Sequence, residues 1–222
     1  MHLLFIADGD RRYADKFGLS RHDVYQKAAK LVRSLVEWYL VNENVDEFTF
    51  FGLSYNNLIK RNESDLTPII DVQREALLSF ANDSFFAENK IKINIYGQTS
   101  LFPSDYLAAI EKVEEVTKGF SNKTFNLLLG YSGQLDFDYA IKETKKHHLA
   151  LNFENIVSHC QIHQPIDLVV RTANEYRISD GPFFLTQYSE YYSCPKYFPI
   201  FNYADVHKSI QTYNCRKRTF GK

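Results

Sequence analysis

The chain has 222 residues, 45% of them hydrophobic and 24% charged, and a net charge of −1. That length and balance predict one globular domain, 1–222, with room for a sizeable core. The near-neutral charge gives no general pull toward nucleic acid, and no apolar run is long enough to span a bilayer, which leaves peripheral membrane contact at most.

"LLFI" (3–6) predicts the first strand. It opens into "ADGDRRY", and its acidic residues come too soon for a signal peptide. Val24, Ala28, Leu31, Leu35 and Tyr39 then recur at helical spacing. "EFTFFGLS" (47–54) predicts the second strand, ending in "LSYNN". "TPIIDVQREALLSFAND" predicts a helix with Thr67 as N-cap before Pro68. "IKINIYG" (91–97) predicts a strand, and "PSDYLAAIEKVEEVTKGF" a helix with Gly119 at its C-cap. "TFNLLLGYS" (124–132) and "QLDFDYAIKETKKHH" (134–148) repeat the alternation. "HCQIH" (159–163) reads as helix residues before a strand, because zinc would want a further ligand pair. "IDLVVRT" (166–172) and "YFPIFN" (197–202) predict the last strands, and "RKRTFGK" is a basic tail that could reach a phosphate site. Cys160, Cys194 and Cys215 are few, scattered and odd in number, which predicts reduced thiols in the cytoplasm.

Continuous apolar strands separated by helices predict an α/β fold with a central, mostly parallel sheet covered on both faces. Ligands then bind beyond the carboxyl ends of the strands. Each strand ends there in polar and small residues: "ADGDRR", "LSYNN", "YGQTS", "GYSGQ" and "RTANEYRIS". The expectation is one site assembled from all of these loops.

Two of the loops carry chemistry. Asp8, Gly9, Asp10, Arg11, Arg12 and Tyr13 pack acids and arginines into one strand end. Asp8 can hold Mg²⁺, which takes one or two carboxylates plus substrate phosphates. Gly9 lets a ligand approach the backbone, and Arg12 can clamp a phosphate at a helix start. Arg171, Arg177 and Ser179 sit at a spacing that can wrap a diphosphate, and Glu190 could complete a metal site with Asp8. There is no P-loop, G-x-G-x-x-G or G-x-S-x-G pattern, which weakens nucleotide kinases, dinucleotide oxidoreductases and serine hydrolases.

Taken together, these segments resemble the cis-prenyltransferases, the undecaprenyl diphosphate synthase family. Asp8 to Tyr13 match D-G-N-x-R-W, "LSYNNL" matches F-S-S-E-N-W, and "YGQTS" matches I-G-D-T-S. "GYSGQLD" matches N-Y-G-G-R-W-D, "DLVVRTANEYRIS" matches D-L-V-I-R-T-G-G-E-x-R-I-S, and "SEYYS" follows as A-E-L-Y-F. The order and spacing hold along the whole chain. The resemblance implies a parallel sheet with flanking helices, an apolar tunnel and a homodimer. It implies Mg²⁺-dependent condensation of isopentenyl diphosphate with dimethylallyl or another allylic diphosphate. It places Asp8 as the catalytic aspartate and metal ligand, Glu190 as the second metal ligand and Asn57 as a helper in proton removal. It places Gly9, Arg12 and Arg21 on the allylic diphosphate, and Arg171, Arg177 and Ser179 on isopentenyl diphosphate. Asp10, Arg11, Tyr13, Tyr25 and Ser54 complete the expected substrate-binding set.

The departures from the pattern are informative. Asp10 stands for the family's Asn, Tyr25 for a histidine, Asn56 for an acid and Leu58 for a tryptophan. The arginine after that loop falls on Lys60 or Arg61, and Ala173 and Asn174 replace two glycines. D-G-x-R-R-[WY], the tyrosine and a "CP" after the glutamate also resemble the cyclolavandulyl diphosphate synthase branch, which joins two dimethylallyl diphosphates head to middle. Arg21 runs against that branch. The expected product is short, because Leu128 and Leu129 replace small residues before "GYSG". The alternatives are a long-chain synthase for a lipid carrier and a non-catalytic family member.

Overall fold

The computed structural model describes residues 1–217. Six strands form one sheet: β1 (His2–Ile6), β2 (Glu47–Ser54), β3 (Ile91–Tyr96), β4 (Lys123–Tyr131), β5 (Leu168–Arg171) and β6 (Glu190–Ser193). The sheet order is β3-β4-β2-β1-β5-β6, and every pairing is parallel. The helices are α1 (Asp10–Phe17), α2 (Arg21–Val36), α3 (Tyr55–Lys60), α4 (Glu63–Asn82), α5 (Ser84–Glu88), α6 (Ser104–Thr117), α7 (Gly133–Lys146), α8 (Phe153–Val157) and α9 (Tyr203–Asn214). A π-helical turn, Glu37–Asn42, extends α2. Among the described residues, no helix is long and apolar enough to cross a membrane.

Strand alternation splits the core in two. Leu3, Phe5, Phe48, Phe50, Phe125, Leu127 and Leu129 face one side and pack with residues of α2, α4, α6 and α9. Leu4, Ile6, Phe51, Leu128, Tyr131 and Val169 face the other side, with Ala140 of α7 and the segment around Ile162. Successive apolar residues therefore all find cover, which is why these strands read as unbroken runs. Most of the phenylalanines fill this core: Phe5 stacks on Phe50 at 5.8 Å and Phe48 on Phe125 at 5.4 Å.

Some elements differ from the sequence reading. "YFPIFN" is not a strand. Phe198–Ile200 forms a 3₁₀ turn, because Pro199 has no N–H for a ladder, and the sixth strand is Glu190–Ser193. α4 begins at Glu63 rather than after Thr67, because the Asn62 side chain accepts from the Asp65 N–H and starts the helix a turn earlier. Pro68 consequently lies inside α4. α6 ends at Thr117 with Lys118 as C-cap, so Gly119 falls one place beyond. "HCQIH" follows α8 rather than lying in it, and the His159 Nδ1 meets the Asn155 carbonyl at 2.8 Å. Of "RKRTFGK", residues 218–222 lie outside the described residues.

Candidate active site

β1 ends at Ile6, and Gly9 caps α1 with φ 103°, a left-handed conformation that L side chains rarely adopt. A Cβ on Gly9 would also lie 2.6 Å from the Tyr197 ring and 3.1 Å from the Ala173 Cβ, so the close approach here is to the chain's own neighbours. Between strand and helix, Asp8 is fixed from several directions. Its N–H donates to Thr172 Oγ1 (2.7 Å), and its carbonyl accepts from that hydroxyl (2.8 Å) and from the Phe198 N–H (3.0 Å). Ile6 pairs with Arg171 across β1 and β5, which brings the two chemical loops together.

The Asp8 carboxylate is shared by two arginines. Arg12 Nη2 donates to Oδ1 at 3.0 Å, and Arg171 Nη2 to Oδ2 at 2.8 Å. Burial pushes the Asp8 carboxyl up, but the hydrogen bonds from Arg171 and Arg12 outweigh it and hold the group below the usual carboxylate range. Arg171 Nη1 also donates to Ser179 Oγ (2.9 Å) and to the Arg177 carbonyl. The Arg177 side chain turns instead to Glu175, whose other oxygen lies 3.1 Å from Arg12 Nη2. Ala173, Asn174, Ser179 and Asp180 all adopt positive φ in this loop, a strained arrangement typical of ligand clamps.

These groups stand at one side of a cavity of about 700 Å³. Asp8, Gly9, Asp10, Arg11, Arg12, Arg171, Glu175, Arg177, Ser179 and Asp180 supply polar lining. Ala28, Ala29 and Val32 of α2, Ile69, Val72, Ala76, Leu77 and Phe80 of α4, and Phe50, Leu53, Leu127 and Leu129 of the sheet supply apolar lining. The cavity therefore lies between one sheet face and α2 and α4. It joins a charged, arginine-rich group to an apolar chamber.

Most of the expected site residues meet here, including Tyr25, Ser54 and Asn57. Ser54 caps α3 by accepting from the Asn57 N–H at 3.2 Å, and the pairing of β2 with β4 shifts register between Phe51 and Ser54. Tyr13 and Arg21 do not line the cavity. Tyr13 packs on Phe17 and under Lys27, and Arg21 pairs with Asp15 at 2.9 Å. Glu190 is also elsewhere: it pairs with Leu168, and Leu168 pairs with Leu3, at the far end of the strands from Asp8. At about 3.3 Å per residue, the register puts Glu190 on the order of 10 Å or more from Asp8 within one chain. Leu58 is buried in the core and does not line the cavity. The loops after β3 and β4 do not join the site either. Gly97 to Ser100, Tyr131, Ser132 and Asp136 line a separate pocket of about 290 Å³, because β3 and β4 lie on the other side of β2 from β1 and β5.

The sequence reading passed over two functional candidates and left a third open between Lys60 and Arg61. Thr172 holds the Asp8 backbone, and its place beside Arg171 was the only signal for it. Glu175 binds two arginines at once. Arg61, rather than Lys60, lines the cavity, where burial pulls its pKa down. Asp10 lies opposite it. Burial and the charge of Asp8 push its carboxyl up to about 7, against the pull of Arg61, and its Oδ1 has no hydrogen-bond partner.

Residues 6–221 match the family described as "Putative undecaprenyl diphosphate synthase". The chain belongs to this family. It is a prenyltransferase and a prenyl diphosphate synthase by family. It is 31% identical to the tritrans,polycis-undecaprenyl-diphosphate synthase (geranylgeranyl-diphosphate specific) of Pyrobaculum aerophilum, covering 100% of this chain and 95% of that one. It is 29% identical to an isoprenyl transferase of Rickettsia prowazekii, over 100% and 97%. The fold matches the crystal structure of lavandulyl diphosphate synthase from Lavandula x intermedia in complex with dimethylallyl diphosphate. That match has a TM-score of 0.91 at 23% identity and covers 100% and 98% of the two chains. The family's parallel sheet and flanking helices are those described above.

Proposed function

We propose that the chain is a single-domain Mg²⁺-dependent synthase that condenses C5 and short allylic diphosphates into a short-chain prenyl diphosphate. The observation that carries this reading is the Asp8 carboxylate, shared by Arg12 and Arg171 at the polar side of a mostly apolar cavity. Arg171, Arg177 and Ser179 hold isopentenyl diphosphate, or a second dimethylallyl diphosphate in a head-to-middle reaction. Gly9, Arg12 and the free N–H groups opening α1 receive the allylic diphosphate. Arg61 takes the place expected of Arg21. Asn57 sits where it can help remove the proton.

The donor set fits a hard cation. Asp8 offers a carboxylate, and Asp10, whose buried Oδ1 has no hydrogen-bond partner, lines the same cavity, with diphosphate oxygens to complete the shell. Bound Mg²⁺ supplies charge stabilisation to the departing diphosphate. In the reaction, the allylic C–O bond breaks and its electron pair leaves on the diphosphate. The double bond of the second substrate supplies the new C–C pair, and a proton is lost. Arg12 faces the departing charge, and the apolar lining keeps water from the cation. Glu190 cannot join Asp8 within one chain, so its role as a metal ligand requires a homodimer in which the second copy supplies it.

Cavity size supports the short product. About 700 Å³ falls in the range of small-ligand pockets, roughly 300–1,000 Å³. Leu129 and Leu127 line it, whereas Leu128 packs on the opposite face of the sheet. The names of the relatives favour the long-chain reading. Mass analysis of dephosphorylated products, made with Mg²⁺ from a panel of C5, C10, C15 and C20 diphosphates, separates the two. We expect about two to four isoprene units. Products of roughly eight units or more would return the chain to the lipid-carrier synthases.

A pH dependence follows from Asp10. Below about 7 its carboxyl is mostly neutral, and above that it adds a negative charge to an anion site. Affinity for inorganic pyrophosphate, compared between the wild type and Asp10→Asn, should diverge as pH rises through about 7, with the wild type becoming the weaker. Parallel profiles would refute this assignment.

A further inference from the structure

Glu175, like Asp8, is shared by two arginines, here Arg12 and Arg177. One oxygen lies 3.1 Å from Arg12 Nη2, and the other pairs with Arg177 Nη1. Arg12 stands on α1, and Arg177 on the clamp loop after β5. The Glu175 side chain is only 19% exposed and lines the cavity. A single carboxylate thus bridges the cations of the two proposed diphosphate subsites. A ligand that took the Arg177 Nη1 donors would displace this partner, and one that took the place of Glu175 on Arg12 would leave it Asp8.

We propose that Glu175 is an internal stand-in for diphosphate: it occupies the arginine clamp in the free protein and is displaced when substrate binds. The inference rests on the diphosphate reading above and deepens it. Two negative oxygens separated by one carbon match part of what a diphosphate presents to two guanidinium groups. Holding Arg12 and Arg177 in place limits their loss of freedom on binding, and it keeps two cations from facing each other unpaired. The cost is competition, because a diphosphate that takes the same donors must break both contacts. Neighbouring residues support a hinge. Ala173 and Asn174, just before Glu175, sit at φ 63° and 57°, and Ser179 and Asp180, just after Arg177, at 46° and 63°. Left-handed residues on both sides are strained, so the segment between them can relax to a second arrangement. The Arg171 guanidinium is held by Asp8, Ser179 and the Arg177 carbonyl rather than by the Glu175 side chain, and is the fixed part of the clamp.

The two possible roles of Glu175 predict opposite signs. A competitor weakens diphosphate binding, so its removal tightens it. A residue that only positions the arginines strengthens binding, so its removal weakens it. The test is calorimetric titration of inorganic pyrophosphate into the full chain, for wild type, Glu175→Gln and Glu175→Asp, with Arg171→Ala as control. Glu175→Gln keeps the shape and removes the charge, and thermal unfolding checks that each variant is folded. We expect Glu175→Gln to bind pyrophosphate about tenfold more tightly and with a weaker dependence on salt, and Glu175→Asp to stay near wild type. In steady-state kinetics, KM for the non-ionising diphosphate should fall in Glu175→Gln. Unchanged or weaker binding by folded Glu175→Gln would overturn the stand-in role while leaving the diphosphate site intact. Failure of the wild type to bind pyrophosphate at all, with Arg171→Ala no different, would overturn the site itself and this inference with it.

Discussion

Asp8→Ala is expected to lower turnover by about three orders of magnitude or more, the scale seen when a preorganised transition-state contact is removed. The reason is geometric. Asp8 has both oxygens engaged by arginines, its backbone fixed by Thr172 and Phe198, and its place at the mouth of the cavity. Its removal also leaves Arg171, whose side chain is 7% exposed, without its charge partner. An uncompensated buried cation is costly, so Asp8→Ala should also lose stability, on the order of a few kcal/mol. Asp8→Asn separates the two effects. It keeps the shape and one acceptor oxygen, so it should unfold nearer to the wild type yet stay almost inactive. Because the folded Asp8 carboxyl is held below its usual range, its contribution to stability is present at neutral pH. It is lost as pH falls through the folded value. Single-turnover rates and thermal unfolding of both variants check this. Activity of Asp8→Ala near that of the wild type would remove the centre of the mechanism.

Arg171→Ala should come next in size, and Arg177→Ala well behind it. The sequence presents the two arginines as equals in one clamp. The structure does not, because Arg171 is buried with three partners, whereas the Arg177 side chain is 63% exposed and paired with Glu175. Hydrogen bonds to charged groups contribute about 1.5–3 kcal/mol each. Loss of Arg171 should therefore raise KM for the non-ionising diphosphate by roughly 10²-fold. Arg177 has first to leave an acid that already neutralises it, so its removal should raise KM by about tenfold or less. Steady-state KM values for each diphosphate measure both. Equal effects would contradict the unequal geometry, and no effect from either would remove the clamp.

The parallel sheet was legible because β1, β2, β4 and β5 are largely apolar runs with both faces covered, as Phe48 to Phe51 illustrate on β2, and the edge strand β3 alternates buried and partly exposed residues. β6 was not, because "EYYS" is a short edge strand of partly exposed residues, less apolar than "YFPIFN" nearby. The start of α4 was hidden by Thr67-Pro68, which imitates an N-cap and first helical residue while Asn62 does the capping. Local motifs located Asp8, Arg12 and Arg171, because Asp8 and Arg171 lie at strand ends and Arg12 in the helical turn that follows. They could not show that Arg21 turns to Asp15, that Arg61 turns inward, or that Glu175 joins two loops, since those depend on contacts far apart in the chain or on side-chain direction. The position of Glu190 within one chain was hidden for a related reason. Its motif gives an acid near the metal in sequence order but not the strand register, which puts it at the opposite end of β6.

The central claim is that diphosphate binds where β1 and β5 end, between α1 and the loop after Arg171. A crystal structure of the protein with Mg²⁺ and inorganic pyrophosphate tests it most directly. The account predicts pyrophosphate within hydrogen-bonding distance of Arg171 and Ser179 or of Arg12 and Gly9, metal on Asp8, and the Glu175 carboxylate withdrawn from Arg177. Pyrophosphate bound outside this cavity, with Asp8 still held by both arginines and free of metal, would contradict it.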